Sequence, residues 1–112
     1  MRTLFITPEF TTFLESLDHS TKEKISYLSE ILTTQPVINT KAAKKLINTE
    51  FYEIRIQVKN ECRIIVFAID HDNINQSKNI LLLNGFMKKS TKDYDKQIKI
   101  ATKVLIQWLD QN

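Results

Sequence analysis

At 112 residues, with 42% hydrophobic and 26% charged side chains, one glycine and two prolines, the chain has room for one ordered domain with a modest core and is neither a linker nor a disordered tail. A lone cysteine, Cys62, excludes an internal disulfide, the opening residues lack the apolar stretch of about 7 to 15 residues that marks a secretory signal, and no apolar run approaches the ~20 residues that span a bilayer, so a cytoplasmic protein without a membrane role is expected. The net charge of +3 is uneven: residues 1–40 hold three basic and five acidic side chains, residues 41–112 thirteen and eight.

Thr3 to Ile6 is β-prone, and Thr7-Pro8 reads as an N-cap with proline at the first helical position, where its missing N–H costs nothing. Phe10, Phe13, Leu14 and Leu17 then recur at helical spacing. A second helix is expected from Ser20, with Glu23 completing a capping box and Ile25, Leu28, Ile31 and Leu32 on one face, until Gln35-Pro36 stops it. Residues 37–50 read as a polar, basic connection with one helical turn at Lys41 to Leu46. From Phe51 the period becomes two, with Tyr52, Ile54, Ile56 and Val58 alternating with Phe51, Glu53, Arg55 and Gln57, which predicts a strand with one wet face. Lys59-Asn60-Glu61 turns the chain into Cys62 to Ile69, a central strand covered on both faces and interrupted only by Arg63. A polar turn over Asp70 to Ser77 leads to a third buried strand, Asn79 to Phe86, which holds the single glycine, Gly85. Lys88 to Asp95 reads as a basic connection, and Ile98, Ala101, Leu105 and Leu109, with Trp108 beside them, mark a C-terminal amphipathic helix. The order β, α, α, β, β, β, α makes a single α+β domain over residues 1–112, with an αα-hairpin packed on a small, mostly antiparallel sheet.

Two lysine clusters, Lys41, Lys44 and Lys45, and then Lys88, Lys89, Lys92, Lys96, Lys99 and Lys103, would attract a polyanion, although a Lys-rich solvated face has the same composition. Arg55 lies on the wet face of its strand. Arg63 sits just across the hairpin, where it either faces a ligand or pairs with Glu53 or Glu61 to close the sheet edge. Lys88 and Lys89 follow the third strand where a loop can aim cations at a ligand. His19 and His71 fall in expected turns without a second ligand at metal-binding spacing, so both read as surface residues and no metal is expected. Cys62 reads as a small core residue, and Phe10, Phe13 and Trp108 as core aromatics. One glycine leaves no Gly-rich phosphate loop, so no nucleotide cofactor is expected.

Glu53-x-Arg55 on one strand, Arg63 followed by Ile64-Ile65-Val66-Phe67 on the next, and Gly85-Phe86-x-Lys88-Lys89 at the end of the third, with a helix over Gln97 to Lys103, resemble the HigB-like, phage-derived branch of the RelE/ParE toxins over roughly residues 3 to 106. Each motif alone is weak; their order and spacing behind an αα-hairpin carry the resemblance. It implies a toxin fold, metal-independent cleavage of mRNA on the ribosome, and restraint by a helix-turn-helix (HigA-like) antitoxin. It also implies Arg55, Arg63, Lys88, Lys89 and Tyr94 as the catalytic set, with Lys41, Lys44, Lys45 and Lys92 contacting RNA. For Tyr94 the implication rests on its place six residues past Lys88, and packing against the start of the last helix is the alternative. ParE-like relatives share the fold and poison DNA gyrase, which leaves a non-nuclease inhibitor, or a degenerate antitoxin-binding domain, as further readings.

Overall fold

The computed structural model describes residues 1–112 as β1 (Thr3–Ile6), α1 (Pro8–Glu15), α2 (His19–Thr34), β2 (Ala43–Lys45), β3 (Phe51–Gln57), β4 (Glu61–Ala68), β5 (Asn79–Met87) and α3 (Lys92–Gln111). The expected α+β architecture is present, with one strand more than the periodicity predicts. Thr7 caps α1, its Oγ1 accepting the Phe10 N–H at 3.0 Å, with Pro8 opening the helix. α2 begins one residue before Ser20, because Asp18 accepts the Thr21 N–H at 2.9 Å; Thr21, through its side chain first and then this N–H, holds the Asp18 carboxyl below its ordinary range. The Ser20–Glu23 box therefore does not form; Glu23 instead sits 2.7 Å from His19 on the helix surface. At the other end Arg2, 8% exposed, donates to the carbonyls of Leu32, Gln35, Pro36 and Asn75, so one guanidinium satisfies the end of α2 and ties it to the β4–β5 loop.

Residues 37–50 correct the expected helical turn at Lys41 to Leu46. The chain turns back on Asn39, whose carbonyl accepts from Ala42 and Ala43, and Ala43–Lys45 then joins the sheet as β2. Ala43 is buried opposite Ile54, so pairing with β3 satisfies backbone groups that an isolated helical turn would leave to water, and the two lysines protect the new edge. The turn into β3 places Asn48 at φ 61°, a left-handed conformation that asparagine tolerates.

The sheet order is β1-β5-β4-β3-β2, with β1 parallel to β5 and every other pair antiparallel. On one face α1 and α2 close a core of Phe10, Leu17, Ile25 and Leu32 over Ile54, Ile56, Ile64 and Val66. Cys62 lies in this core, where burial pushes its thiol up to about 11, as a packing residue and not a nucleophile. On the other face α3 lays Ala101, Val104 and Leu105 over Phe51, Ile65, Leu81, Leu83 and Phe86. The wet face expected of Phe51 to Gln57 is thereby half dry: α3 covers Phe51 and Glu53 and leaves Arg55 and Gln57 outside. Gly85 lies under Phe13 of α1; a Cβ there would stand 2.3 Å from the ring, which explains the one glycine in a buried strand.

Candidate active site

Where α3 stops covering β3, a cleft of about 380 Å³ opens between β2 with its turn, the outer part of β3 and the first turns of α3; it is lined by Lys44, Lys45, Leu46, Ile47, Glu53, Arg55, Lys88, Thr91, Tyr94, Asp95 and Ile98. It continues into a second hollow of about 650 Å³ bounded by Thr40, Lys41, Lys44, Lys45 and Arg55. Strand register sets the chemistry. Lys44 pairs with Glu53, and Arg55 pairs with Arg63, so three cations and one carboxylate share the α3 side of three adjacent strands.

Glu53 is 2% exposed, and its Oε1 accepts from Arg55 Nε at 2.7 Å while Oε2 has no hydrogen-bond partner. That hydrogen bond, then the attraction of opposite charges, holds the Arg55 pKa above its already high value. The Arg55 side chain is 49% exposed, so its terminal nitrogens face the cleft. Tyr94 packs edge-on against Phe86 with ring centroids 5.5 Å apart, and Lys88 Nζ stands 5.6 Å from the Tyr94 ring centre. The Tyr94 hydroxyl accepts from Arg63 Nε at 3.0 Å. Burial first, then the nearby Glu53 carboxylate, pushes the hydroxyl above the ordinary tyrosine range, and Arg63 opposes the shift. Tyr94 thus packs at the start of the last helix, one of the two roles the sequence allowed, and its hydroxyl makes a polar contact besides.

Arg63 does not project into the cleft. It is 4% exposed, its Nη1 donates to the Cys62 carbonyl and its Nη2 lies 3.5 Å from Glu61. Its unpaired charge would be costly in a strand covered on both faces, and these partners offset that cost. Of the two readings given by the sequence, pairing with Glu61 is the one observed; yet Nε reaches Tyr94, so Arg63 underlies the cleft instead of lying apart from it. Lys89 and Lys92 are exposed and do not line the cleft. The Lys45 ammonium is engaged by the Thr49 carbonyl and stands 5.3 Å from the centre of the Tyr52 ring, leaving Lys44, Arg55 and Lys88 as the cations turned to the opening. The expected basic connection shortens to Lys88–Thr91, because Asp93 accepts the N–H groups of Lys89 and Ser90 and α3 begins at Lys92. His19 and His71 are exposed, as read from the sequence.

Glu53 is the residue that sequence reasoning missed as a site group. The signal was in the Glu53-x-Arg55 pair: at period two both side chains share a face, and the nearest cation of the opposing edge, Lys44, stands across from Glu53. A separate hollow of about 550 Å³ near Glu50, Asp70, His71 and Asp72 is acidic and would repel phosphate.

The profile of the family described as phage-derived protein Gp49-like (DUF891) matches residues 12–105. No curated protein matches the chain in sequence. Among solved structures, a chain of the intact E. coli RelBE toxin-antitoxin complex is similar with a TM-score of 0.59 at 16% identity, over 80% of this chain and 100% of that one. A mutant of the E. coli toxin RelE in the free state gives a TM-score of 0.61 at 17% identity over 88% and 95%. The isolated E. coli RelE toxin gives 0.56 at 15% identity over 88% and 97%. The chain therefore belongs to the phage-derived Gp49-like family and carries the RelE toxin fold.

Proposed function

We propose that this protein is the toxin of a toxin-antitoxin pair and a metal-independent endoribonuclease that cuts mRNA on the ribosome in the cytoplasm, held in check by a HigA-like helix-turn-helix antitoxin. The observation that carries this reading is the Glu53–Arg55 hydrogen bond, which lies with Tyr94 in a cleft rimmed by Lys44 and Lys88. Cleavage by the ribose 2′-OH needs a base for that proton, cations for the charge growing on phosphorus, and an acid for the departing 5′-oxygen. Glu53, which lines the cleft with its unpartnered oxygen buried, is the base. Arg55 keeps its terminal nitrogens for two phosphate oxygens, and Lys88 adds a point charge. Tyr94, kept protonated by its surroundings, donates to the leaving oxygen, and Arg63 fixes the direction of that hydroxyl. A buried carboxylate already engaged by an arginine meets a ribose only in a narrow geometry, so imposed positioning of the message supplies part of the rate; this supports dependence on the ribosome.

The test is incubation of the purified protein with programmed ribosomes. The message should be cut within or beside the A-site codon, leaving a cyclic or 3′ phosphate, while free transcript stays mostly intact and chelator changes nothing. Arg55→Ala should slow cleavage by roughly 10²- to 10³-fold and Glu53→Gln by roughly 10²- to 10⁴-fold. An intact message together with arrested gyrase supercoiling would replace the ribonuclease by a ParE-like inhibitor. Neither effect, with antitoxin binding retained, would leave only an antitoxin-binding domain.

A further inference from the structure

One face of α3 takes no part in the fold or the cleft. Lys92, Lys96, Lys99 and Lys103 are spaced four, three and four residues apart, which confines them to a sector of about 60° running about 16 Å along the helix. The sector lies opposite Ala101, Val104 and Leu105, all four lysines are exposed, and none is in an ion pair. No acidic residue follows Asp95 until Asp110. Asp93 is engaged chiefly by its own loop, with a lesser attraction to Lys96, and Asp95 lines the cleft.

Helix physics does not favour this arrangement. Lys92 with Lys96 and Lys99 with Lys103 are like charges four apart, which repel, whereas a face needing only solubility gains from alternating signs. The macrodipole favours cations in the last turn, and α3 has none there; its lysines occupy the first two-thirds. An anionic partner along the stripe would offset both costs. Its repeat suits successive charges on a backbone, and its first turn adjoins the cleft through Thr91, Tyr94 and Asp95. The stripe holds no aromatic ring, the feature on which single-stranded nucleic acid stacks, and no apolar anchor of the kind that centres a protein interface; the exposed Ile106 and Leu109 lie beyond its end.

We infer that the lysine face of α3 docks the phosphate backbone of double-stranded RNA, holding the protein against a structured RNA beside the message in the cleft. Shape and phosphate contact are how A-form duplexes are bound, and lysine point charges serve this without reading sequence. The inference goes beyond cleavage and is tested separately, in a binding assay without ribosomes.

Fluorescence anisotropy with a short labelled RNA duplex would be measured over a salt series for the full chain, for Lys99→Gln/Lys103→Gln, and for Lys22→Gln/Lys24→Gln on α2, a matched loss of two charges. The α3 pair should weaken duplex binding by tenfold or more at ~0.1 M salt and flatten the log–log salt slope by about 1.8, at an unchanged melting temperature. The α2 pair should bind as the parent does. Equal losses in the two pairs would overturn the inference, since net charge alone would then explain binding. So would equal or tighter binding of single-stranded RNA, of polyglutamate at the same salt, or of a DNA duplex in preference to RNA. If the duplex binds as expected while programmed ribosomes keep their message intact, the cleavage reading fails and the docking face stands.

Discussion

Arg63 and Tyr94 act through one hydrogen bond of 3.0 Å, and each needs the other for a different reason. Arg63, at 4% exposure, needs acceptors for a charge it cannot show to water; Tyr94 needs a direction for its hydroxyl. Tyr94→Phe removes the acceptor for Nε and should destabilise the fold by about 1–3 kcal/mol, measured by urea denaturation, because a buried charged donor is left unmet. Arg63→Lys keeps the charge but loses the Nε that meets the hydroxyl. On the proposed mechanism, each change should slow cleavage, and the double variant should be little slower than Tyr94→Phe alone. Additive losses in single-turnover assays would show that Arg63 contributes apart from Tyr94. On that mechanism Arg63 is a positioning residue. Its position opposite Arg55 was readable from the hairpin, but its burial was not, since that depends on how far α3 extends over β4.

At the scale of elements, the β4–β5 loop is organised by Asp70, whose carboxylate accepts from Ser77 Oγ at 2.6 Å and from the N–H groups of Lys78 and Asn79 at 2.9 Å. These bonds, Ser77 first, hold the carboxyl well below its ordinary range. A pKa lower in the folded than in the unfolded chain means stability that is present above about pH 4 and lost as pH falls towards the folded value. Asp70→Asn should therefore melt below the parent protein at pH 7, and the gap should narrow once pH falls under about 4; a constant gap would show that geometry and not charge carries the effect. The elements themselves were largely legible: Thr7-Pro8, Gln35-Pro36 and the switch to period two at Phe51 each mark a boundary that the structure has. β2 was not legible. Ala-Lys-Lys has no strand signature and becomes a strand only because β3 offers an edge for Ala43 to pair with. The dryness of Glu53 was likewise invisible, because alternation assigns a side chain to a face and says nothing of what covers that face. Of the groups that line the cleft, Arg55, Lys88 and Tyr94 were singled out by motif and spacing, whereas separating them from Lys89 and Lys92 needed the true start of α3.

For the molecule as a whole, the two helical layers are joined to the sheet by different means. α3 rests on a broad apolar face, while α1 adds to its buried Phe10 one especially close fit, the Phe13 ring on Gly85. Gly85→Ala should cost about 1–3 kcal/mol by overpacking, and Phe13→Leu placed with it should recover part of that loss. Recovery in the double variant, read from denaturation midpoints, checks the fit; equal destabilisation with and without Phe13→Leu would assign the cost to strand conformation instead. The parallel pairing of β1 with β5 has a consequence for biosynthesis. β1 is made well before Asn79 to Leu82, its only neighbour in the sheet, and Thr7 likewise waits for the carbonyl of Leu83. A nascent chain is thus unable to close its sheet early, and a product that terminates before Tyr94 lacks both a finished core and a finished cleft. On the toxin reading, a fragment that stops before Tyr94 is without the means to harm the cell that makes it.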